Sequence, residues 1–293
     1  MSAVGISVIV PVWRDWDRVP GLLAALEAQD CGDFELVLVD NDPGIPGSPP
    51  PALPDHGLAL RIIPCAAPGS YAARNAGIAA ARGGLLAFTD ADCRPDPGWL
   101  AALAAAHEAD PGVILAGPIR LEPGPEPGPW EIFDTVRGMP QAVFVRHGYG
   151  ATANLAVGAG VMAGLGGFDP ARLSGGDAEF CRRSGRRGVG LVLVPGAVVA
   201  HPARISRAEV VTKARRIKGG QLAAGPPLRR IFWTLRSLMP PLREMAFYLA
   251  GQEARRWPMA WRLTACRVRL ALWGVELAEL VRLLILRHPP ERR

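Results

Sequence analysis

The chain has 293 residues, with 33 Lys plus Arg against 27 Asp plus Glu, which gives a formal net charge of +6. Hydrophobic residues make up 49% of it and charged residues 20%, a balance that excludes intrinsically disordered and collagen-like classes. The length fits one large domain or two small ones, with enough chain to bury a core.

Charge is divided unevenly along the chain. Residues 1–203 hold 14 basic and 21 acidic groups, a balance of −7, whereas residues 204–293 hold 19 basic and 6 acidic groups, a balance of +13. This division predicts different partners for the two parts. Because aromatic residues are few and no zinc-finger spacing occurs, we expect no nucleic acid. An anionic membrane surface or a diphosphate fits the basic part.

The cysteines and the N-terminus bear on the compartment. Five cysteines form no CxxC pair and are too sparse for a disulfide framework, which favours a reducing, cytoplasmic location. The N-terminal apolar run lacks a preceding basic region and a small-residue cleavage site, so it predicts a strand and no signal peptide. The uncharged window at 148–168 is too rich in glycine for a transmembrane helix.

Strands and helices alternate in the pattern of the first 117 residues. Apolar runs predict strands at 6–10, 34–39, 58–63, 85–89 and 113–117, and helical spacing predicts helices at 17–29, 70–82 (capped by Ser70) and 97–109. This alternation predicts an α/β fold with an open, mostly parallel central sheet and helices on both faces.

Ligands of such sheets bind beyond the carboxyl ends of the strands. Those ends hold Pro11, Val12 and Trp13, then Asp40, then Asp90, Ala91 and Asp92. Two carboxylates that flank one small residue can bind Mg²⁺ or Mn²⁺, which complete their shells with phosphate oxygens and water. The same spacing occurs in Asp15/Asp17, which we interpret as a helix cap, and in Asp40/Asp42, which we interpret as a turn.

The Asp90/Asp92 pair lies in a series of motifs. They are ISVIVPVW, VLVDND, GSYAARNAGIAAARGGLLAFTDADC, ATANLAV, GGFDP and SGGDAEFCRR. In order and spacing they resemble the family 2 glycosyltransferases of the GT-A fold, over about residues 5–220. The resemblance implies inverting transfer of a sugar from a nucleotide-diphosphate donor, a UDP-sugar, to an acceptor hydroxyl. Since the QxxRW element of processive synthases is missing, it implies a non-processive, bacterial type.

The resemblance also implies roles for the donor site. Trp13 matches an aromatic residue that stacks on uracil, and Asp40 matches a carboxylate that accepts from the base N–H. Arg74 and Asn75 match an element that places a guanidinium near the diphosphate. The competing interpretations are strand-end packing for Trp13 and a surface position for Arg74. The family's acidic residue, Gly and Ser after the second strand are replaced by Asn41, Asp42 and Pro43.

The metal and the catalytic base are implied in the same way. Asp92 matches the direct metal ligand, and Asp90 matches a residue that reaches the ribose or the metal's water. His201 follows an apolar run at 191–200 and would complete the shell of Mn²⁺, which imidazole suits better than Mg²⁺, unless it is structural. Asp177 matches the base, with Glu179 orienting it or contacting the acceptor. The competing interpretation is that Asp177 caps a helix starting at Ala178.

A basic cluster and a helical region follow. The cluster contains Lys213, Arg215, Arg216 and Lys218, which include the only two lysines of the protein. Two interpretations stay open for it: Arg215 and Lys218 close over the donor diphosphate, or the cluster faces water. Prolines divide the rest into expected helices at 228–238, 242–256 and 260–286.

The last of these helices has two contrasting faces. Arg262, Arg269 and Glu276 share one face, and the opposite side carries Leu263, Leu270, Leu277 and Leu284. The helix either packs on protein or lies in a membrane interface beside anionic lipid, which would make the protein peripheral on the inner face of the cell membrane.

We therefore expect three parts. Residues 1–117 form the nucleotide-sugar-binding half of a GT-A domain, residues 118–225 the acceptor-binding and catalytic-base half, and residues 226–293 a basic amphipathic helical extension. The acceptor would be a glycan or a lipid-linked precursor in cell-surface polysaccharide or glycolipid synthesis. Acceptor groups are expected within 118–150, which includes Trp130, Asp134 and Arg137.

Three alternatives were weighed against a glycosyltransferase. A nucleotidyltransferase that activates a sugar phosphate would need a glycine-rich basic loop after the first strand, where Trp13 and Arg14 stand. A non-catalytic scaffold that binds nucleotide-sugar or membrane would not need Asp90, Asp92 and Asp177. A dinucleotide fingerprint at Gly158, Gly160 and Ala163 lacks the preceding apolar strand.

Overall fold

The computed structural model of the protein describes residues 5–42, 52–172, 174–223 and 227–288, without the side chains of residues 223 and 229. The strands are β1 (Ile6–Val12), β2 (Phe34–Asp40), β3 (Leu60–Pro64), β4 (Leu85–Phe88), β5 (Arg94–Pro95), β6 (Ile114–Ala116), β7 (Ile119–Glu122), β8 (Leu155–Gly158), β9 (Leu191–Leu193) and β10 (Val199–Pro202). The helices are α1 (Val19–Glu27), α2 (Ser70–Ala80), α3 (Trp99–Ala109), α4 (Pro129–Arg137), α5 (Gln141–Arg146), α6 (Ala159–Leu165), α7 (Gly176–Gly185), α8 (Arg207–Ala223), α9 (Pro227–Leu238), α10 (Leu242–Ala250) and α11 (Met259–Leu284).

A seven-stranded sheet is the centre of the fold. Its order is β3-β2-β1-β4-β8-β6-β9, with the first four strands parallel, β6 and β9 parallel, and β8 antiparallel to both β4 and β6. The prediction of a mostly parallel α/β sheet surrounded by helices is confirmed. β1 and β2 are nearly continuous apolar runs because both faces of a parallel sheet are covered.

The chain divides into two compact units. One comprises Met1–Arg120, Pro140–Ala171 and Gly176–His201, and the other comprises Leu121–Met139, Arg172–Gly175 and Pro202–Arg293. The first unit contains the large sheet, and its core includes Ile9, Phe88, Leu155, Phe168 and Phe180. A smaller sheet has the order β5-β10-β7, with β10 antiparallel to β5.

The second unit is mainly helical. Its core gathers Phe133 of α4, Tyr248 of α10, and Ala265 and Leu272 of α11. The charged face of α11 turns inward, where Arg269 binds Glu244 and Glu276. Within the described part of the chain, no helix combines the length and apolarity that crossing a membrane requires.

Several local predictions were wrong. The Asp15/Asp17 pair does not cap α1, whose N-cap is Arg18 without a side-chain hydrogen bond. Gly69, with φ +114°, caps α2 in place of Ser70. The apolar run at 191–200 is two short strands with a turn between them, because Pro195 and Gly196 interrupt it. The expected helix at 242–256 ends at Ala250, before Gly251.

Candidate active site

Two carboxylates and a histidine meet where β4 ends. Asp90 and Asp92 lie in the turn after β4, and β5 follows that turn directly. Because β5 pairs with β10 in the register Ala200↔Arg94, His201 of β10 lies opposite Cys93. One ligand atom from each of Asp90, Asp92, Cys93 and His201 lies within 4.8 Å of all the others. The structure thus brings together the three residues that were predicted to bind metal.

The donor atoms of this cluster fit a hard divalent cation. Burial raises the pKa of the Cys93 thiol well above its usual range, and the charges of Asp90 and Asp92 raise it further. Sulfur is also the least suited of the four donors to Mg²⁺ or Mn²⁺, which prefer oxygen ligands. Two carboxylates and the imidazole of His201, whose Nε2 lies 3.7 Å from Asp92 Oδ1, remain as ligands. Oxygen ligands with one imidazole suit Mn²⁺ and also admit Mg²⁺.

A third carboxylate stands close to the pair. Burial raises the pKa of Asp15, and the charge of Asp92 is the next largest cause. Asp15 comes from the loop after β1, which neighbours β4 in the sheet. The sequence-based interpretation as a cap missed this residue, although its position just beyond a central strand was the available signal.

Arg74 connects the carboxylates of β4 to α2. Its side chain is 3% exposed, and its Nη2 donates to Asp90 Oδ1 at 2.5 Å. The buried Nε has no hydrogen-bond partner among the described residues. An unpaired buried donor is costly, which makes this atom a natural contact for an anionic ligand. The interpretation of Arg74 as a surface arginine is wrong.

Asp177 lies in the first turn of α7 and contacts Tyr71, which also contacts Arg74. Its Oδ1 accepts from the Ala178 N–H at 2.8 Å and from the Tyr71 hydroxyl at 3.4 Å. Burial raises the pKa of Asp177, although these hydrogen bonds and the charge of Arg74 oppose the rise. Arg74 lies over the Tyr71 ring, 5.9 Å from its centroid. Tyr71 was not predicted, because its part in this network depends on the packing of α2 near α7.

Glu179 and Asn75 have structural contacts. Glu179 accepts from Arg183 Nε at 2.8 Å, and Arg183 also binds the carbonyl oxygens of Leu165 and Gly167. Asn75 donates to the Phe168 carbonyl oxygen at 2.8 Å and accepts from its N–H at 2.9 Å. Both side chains therefore fix the loop that precedes α7.

The predicted base-binding residues lie at the ends of β1 and β2. Trp13 is half-buried, and the Arg14 guanidinium lies 5.1 Å from its ring centroid. Asp40 Oδ1 accepts from the Asp42 N–H at 3.2 Å. Pro11 is half-buried, whereas the side chain of Val12 is fully buried in the core. Ala91, also buried, provides the small separation between the two carboxylates of its turn.

Asn41 is a further residue that the sequence did not single out. It is 2% exposed and donates to the carbonyl oxygens of Cys65 at 3.0 Å and Ala67 at 2.7 Å. Its own carbonyl oxygen accepts from the Gly69 N–H at 3.1 Å. Asn41 thus fixes the segment from which α2, and with it Arg74, begins.

The basic cluster lies in the second unit. Lys218 is buried and donates to Ser237 Oγ at 2.8 Å and Gln221 Oε1 at 3.3 Å, and burial lowers its pKa. These contacts place its ammonium group between α8 and α9. They do not support the interpretation in which Lys218 binds the donor diphosphate. Arg215 is about half exposed, and its Nε lies 3.9 Å from Glu279.

Comparisons with known proteins find glycosyltransferases. The model of the family described as "Glycosyl transferase family 2" matches residues 7–148. Glycosyltransferase AglE of Haloferax volcanii is 28% identical over 290 residues, which are 94% of this chain and 93% of that protein. Pre-mycofactocin glycosyltransferase of Mycobacterium tuberculosis is 28% identical over 207 residues, 68% of this chain and 43% of that protein.

A solved structure has the same fold. The mannosyltransferase PcManGT from Pyrobaculum calidifontis, in complex with GDP-Man and Mn²⁺, aligns with a TM-score of 0.58 and 18% identity, over 97% of this chain and 88% of that one. The fold and the relatives define a glycosyltransferase of the GT-A class. Within that class the chain is similar to glycosyltransferase family 2, whose model matches residues 7–148, just under half of the chain. This replaces the nucleotidyltransferase, scaffold and dinucleotide-binding alternatives.

Proposed function

We propose that this glycosyltransferase is metal-dependent and inverting, and that it moves one sugar from a UDP-sugar to a hydroxyl of a glycan or lipid-linked acceptor. The observation that carries the proposal is the convergence of Asp90, Asp92 and His201 within 4.8 Å. Arg74, whose buried Nε has no hydrogen-bond partner among the described residues, would supply a further positive charge beside them.

Asp92 and His201, with Asp90 next to them, would hold Mn²⁺ or Mg²⁺. When bound, the cation would supply positive charge to the diphosphate of the leaving nucleotide. Arg74 would add its own charge through Nε, and its bond to Asp90 fixes the guanidinium for that purpose. Asp15 would favour cation binding by adding negative charge at the same edge.

Asp177 would act as the general base. It would remove the proton from the acceptor hydroxyl as that oxygen attacks the anomeric carbon. A single displacement of this kind inverts the configuration, and one carboxylate suffices as the base because the leaving group is a diphosphate; this suits a site where Gly175 and Gly176 precede Asp177. Tyr71 would hold the carboxylate in place through its hydroxyl. Glu179 would act as a positioning residue, since its bond to Arg183 fixes α7.

The donor base would lie against Trp13 and Asp40. The half-buried Trp13 ring offers a stacking surface, and Asp40 would accept from the imide N–H of uracil. Guanine also presents N–H donors, so GDP-sugars belong in any donor panel. The assignment of residues 1–117 to the donor and 118–225 to the acceptor remains part of this proposal. None of the five cysteines forms a disulfide, which supports a reducing, cytoplasmic compartment.

The experiment is the release of free nucleotide from a panel of UDP- and GDP-sugars. We expect turnover with Mn²⁺, its loss with a chelator, and a fall of about a hundredfold or more for Asp92→Asn. Asp96→Asn is the matched control, since Asp96 pairs with Arg120 and is not a member of the cluster of Asp90, Asp92, Cys93 and His201. Turnover that survives both the chelator and Asp92→Asn would disprove metal dependence. Preference for GDP-sugars would overturn only the assignment of uracil.

A further inference from the structure

Helix α9 and the residues just after it carry large apolar side chains that face solvent. Within α9 the positions from Leu228 to Leu238 follow the helical spacing of three and four residues, which places them on one face, and Met239 and Leu242 follow after the helix ends. We call this face the α9 stripe. It consists of Leu228 (79% exposed), Ile231 (55%), Phe232 (58%), Leu235 (60%), Leu238 (54%), Met239 (61%) and Leu242 (65%).

The opposite face of α9 attaches the helix to the second unit. Ser237 is buried, and its hydroxyl accepts from Lys218 Nζ at 2.8 Å. Its carbonyl oxygen accepts from Trp273 Nε1 of α11 at 2.9 Å. The helix is thus fixed with its apolar face outward. A row of large apolar side chains exposed on one helix face usually marks an interaction site.

Helix α11 carries further exposed apolar side chains. Leu263, Leu270, Val281 and Leu284 are each about half exposed, with exposures between 46% and 49%. Trp273, which contacts α9, is three residues from Leu270, so both lie on neighbouring parts of the helix surface.

The charges around the α9 stripe favour an anionic partner. Arg230 and Arg243 are exposed beside the apolar residues, whereas Arg236, about one-third exposed, pairs with Glu244 at 3.8 Å. They belong to residues 204–293, the part of the chain with a formal net charge of +13. The 12 residues of α9 span about 18 Å, less than the roughly 30 Å of a bilayer core. Such a helix would lie in the plane of a membrane surface.

We propose that the α9 stripe docks the protein on the surface of a bilayer that contains anionic lipids. The apolar side chains enter the boundary between head groups and acyl chains, and the arginines bind the lipid phosphates. The sequence had pointed to the last helix for this role, but the arginine and glutamate face of α11 is used in packing. The inference does not depend on which donor or acceptor the enzyme uses.

The test is co-sedimentation of the full chain with vesicles of phosphatidylglycerol and phosphatidylcholine in equal parts, and with pure phosphatidylcholine vesicles. The variant is Phe232→Glu/Leu235→Glu. The matched control is Val192→Glu/Ile205→Glu, which makes the same charge change at two exposed apolar residues (45% and 64%) outside the stripe. Thermal unfolding of all three proteins checks that the substitutions leave the fold intact.

We expect the parent protein and the control to bind the anionic vesicles, with weaker binding to phosphatidylcholine and at high salt. The stripe variant should bind the anionic vesicles at least about tenfold more weakly, since two large apolar side chains no longer enter the bilayer. Equal loss in both double variants, or no vesicle binding by the parent protein, would overturn the proposal. So would a stable dimer, seen by analytical ultracentrifugation, that only the stripe variant dissociates.

Discussion

Asp177 is the residue at which catalysis and stability are opposed. A general base must be ionised, yet burial raises the pKa of this carboxyl above its ordinary value of 3.8. The folded protein therefore holds a proton there at pH values where the unfolded chain has lost it. Stability contributed by this group falls as the pH rises through that interval, whereas the fraction of ionised base rises.

Asp177→Asn should separate the two effects. The amide keeps an oxygen for the Ala178 N–H and Tyr71 but cannot take a proton, so we expect transfer to fall by about a hundredfold to ten-thousandfold. The melting temperature at neutral pH should be equal or higher, because no charge is buried. This difference in melting temperature should vanish below the ordinary pKa of 3.8. Nucleotide release and thermal unfolding measured across pH check both parts.

Asp110→Asn is the control for that comparison, since the exposed Asp110 also accepts a backbone N–H, from Gly112 at 3.0 Å. It should change neither quantity. Loss of UDP binding in Asp177→Asn would instead assign Asp177 to the structure of the donor site.

The short turn before β8 depends on one buried amide. Asn154 is fully buried, and its Oδ1 accepts from Trp99 Nε1 at 2.9 Å. Its Nδ2 donates to the carbonyl oxygens of Pro118 at 2.9 Å and Ala197 at 2.7 Å. One side chain therefore connects α3, the segment after β6 and the segment before β10. Each of these three groups would lose its partner together with the amide.

Asn154→Ala should lower the free energy of unfolding by about 3 kcal/mol or more, since each unpaired buried group costs about 1–3 kcal/mol. Urea unfolding measures the change. Gln29→Ala is the matched control: its half-buried amide also makes three hydrogen bonds, to Ala25, Asp96 and Leu100, but water can replace them. A loss in Asn154→Ala no larger than in the control would contradict this account.

The elements differ in how far the sequence predicts them. β1, β2 and β4 are predicted because their apolar runs are local signals of a strand covered on both faces. β8 is not, since Leu155–Gly158 lies in a glycine-rich window beside the polar Asn154 and gains its strand conformation from β4 and β6. β5, with two residues, exists only through its pairing with β10.

The same distinction holds for the site. Asp90, Asp92 and Asp177 belong to motifs whose spacing is visible in the sequence, so their proximity could be expected. Tyr71 and Asn41 contribute to the site through hydrogen bonds to residues 106 and 28 positions away. No local sequence pattern predicts contacts between residues so far apart. Lys218 is the reverse case. It belongs to a basic cluster that is visible in the sequence, but the cluster does not reveal which of its residues face inward.

At the scale of the whole molecule, the net charge of +6 combines two distributions with different uses. In the first unit, carboxylates gather at one edge of the sheet, where a cation would offset their repulsion. In the second unit, part of the positive charge is used internally, as in the pairs of Arg269 with Glu244 and of Arg282 with Glu279. The exposed Arg243 lies beside the α9 stripe, where an anionic surface would meet it.

The second unit also contains a buried carboxylate held by several cations, and this should govern how the molecule responds to acid. Burial by itself would raise the pKa of Asp134, but Lys213, Arg204 and Arg137 outweigh it and hold the pKa at about 2; because burial also lowers the pKa of Lys213, the two arginines are the permanent cations of this cluster. Arg204 Nη1 and its backbone N–H each lie 3.1 Å from Asp134 Oδ2. This contact stabilises the fold fully above the ordinary pKa of 3.8 and is lost as the pH falls towards 2.

Asp134→Asn should therefore destabilise the protein at neutral pH by about 2 kcal/mol or more, at about 1.4 kcal/mol for each unit of pKa, because the cations lose their buried partner. The difference in melting temperature from the parent protein should be constant above about pH 5 and should close as the pH approaches about 2. Asp96→Asn, which breaks the exposed pair with Arg120, should cost less than about 1 kcal/mol at every pH. If the two variants melt alike at neutral pH, the buried cluster does not stabilise the fold and Asp134 is free for another role, such as the acceptor contact that the sequence suggested.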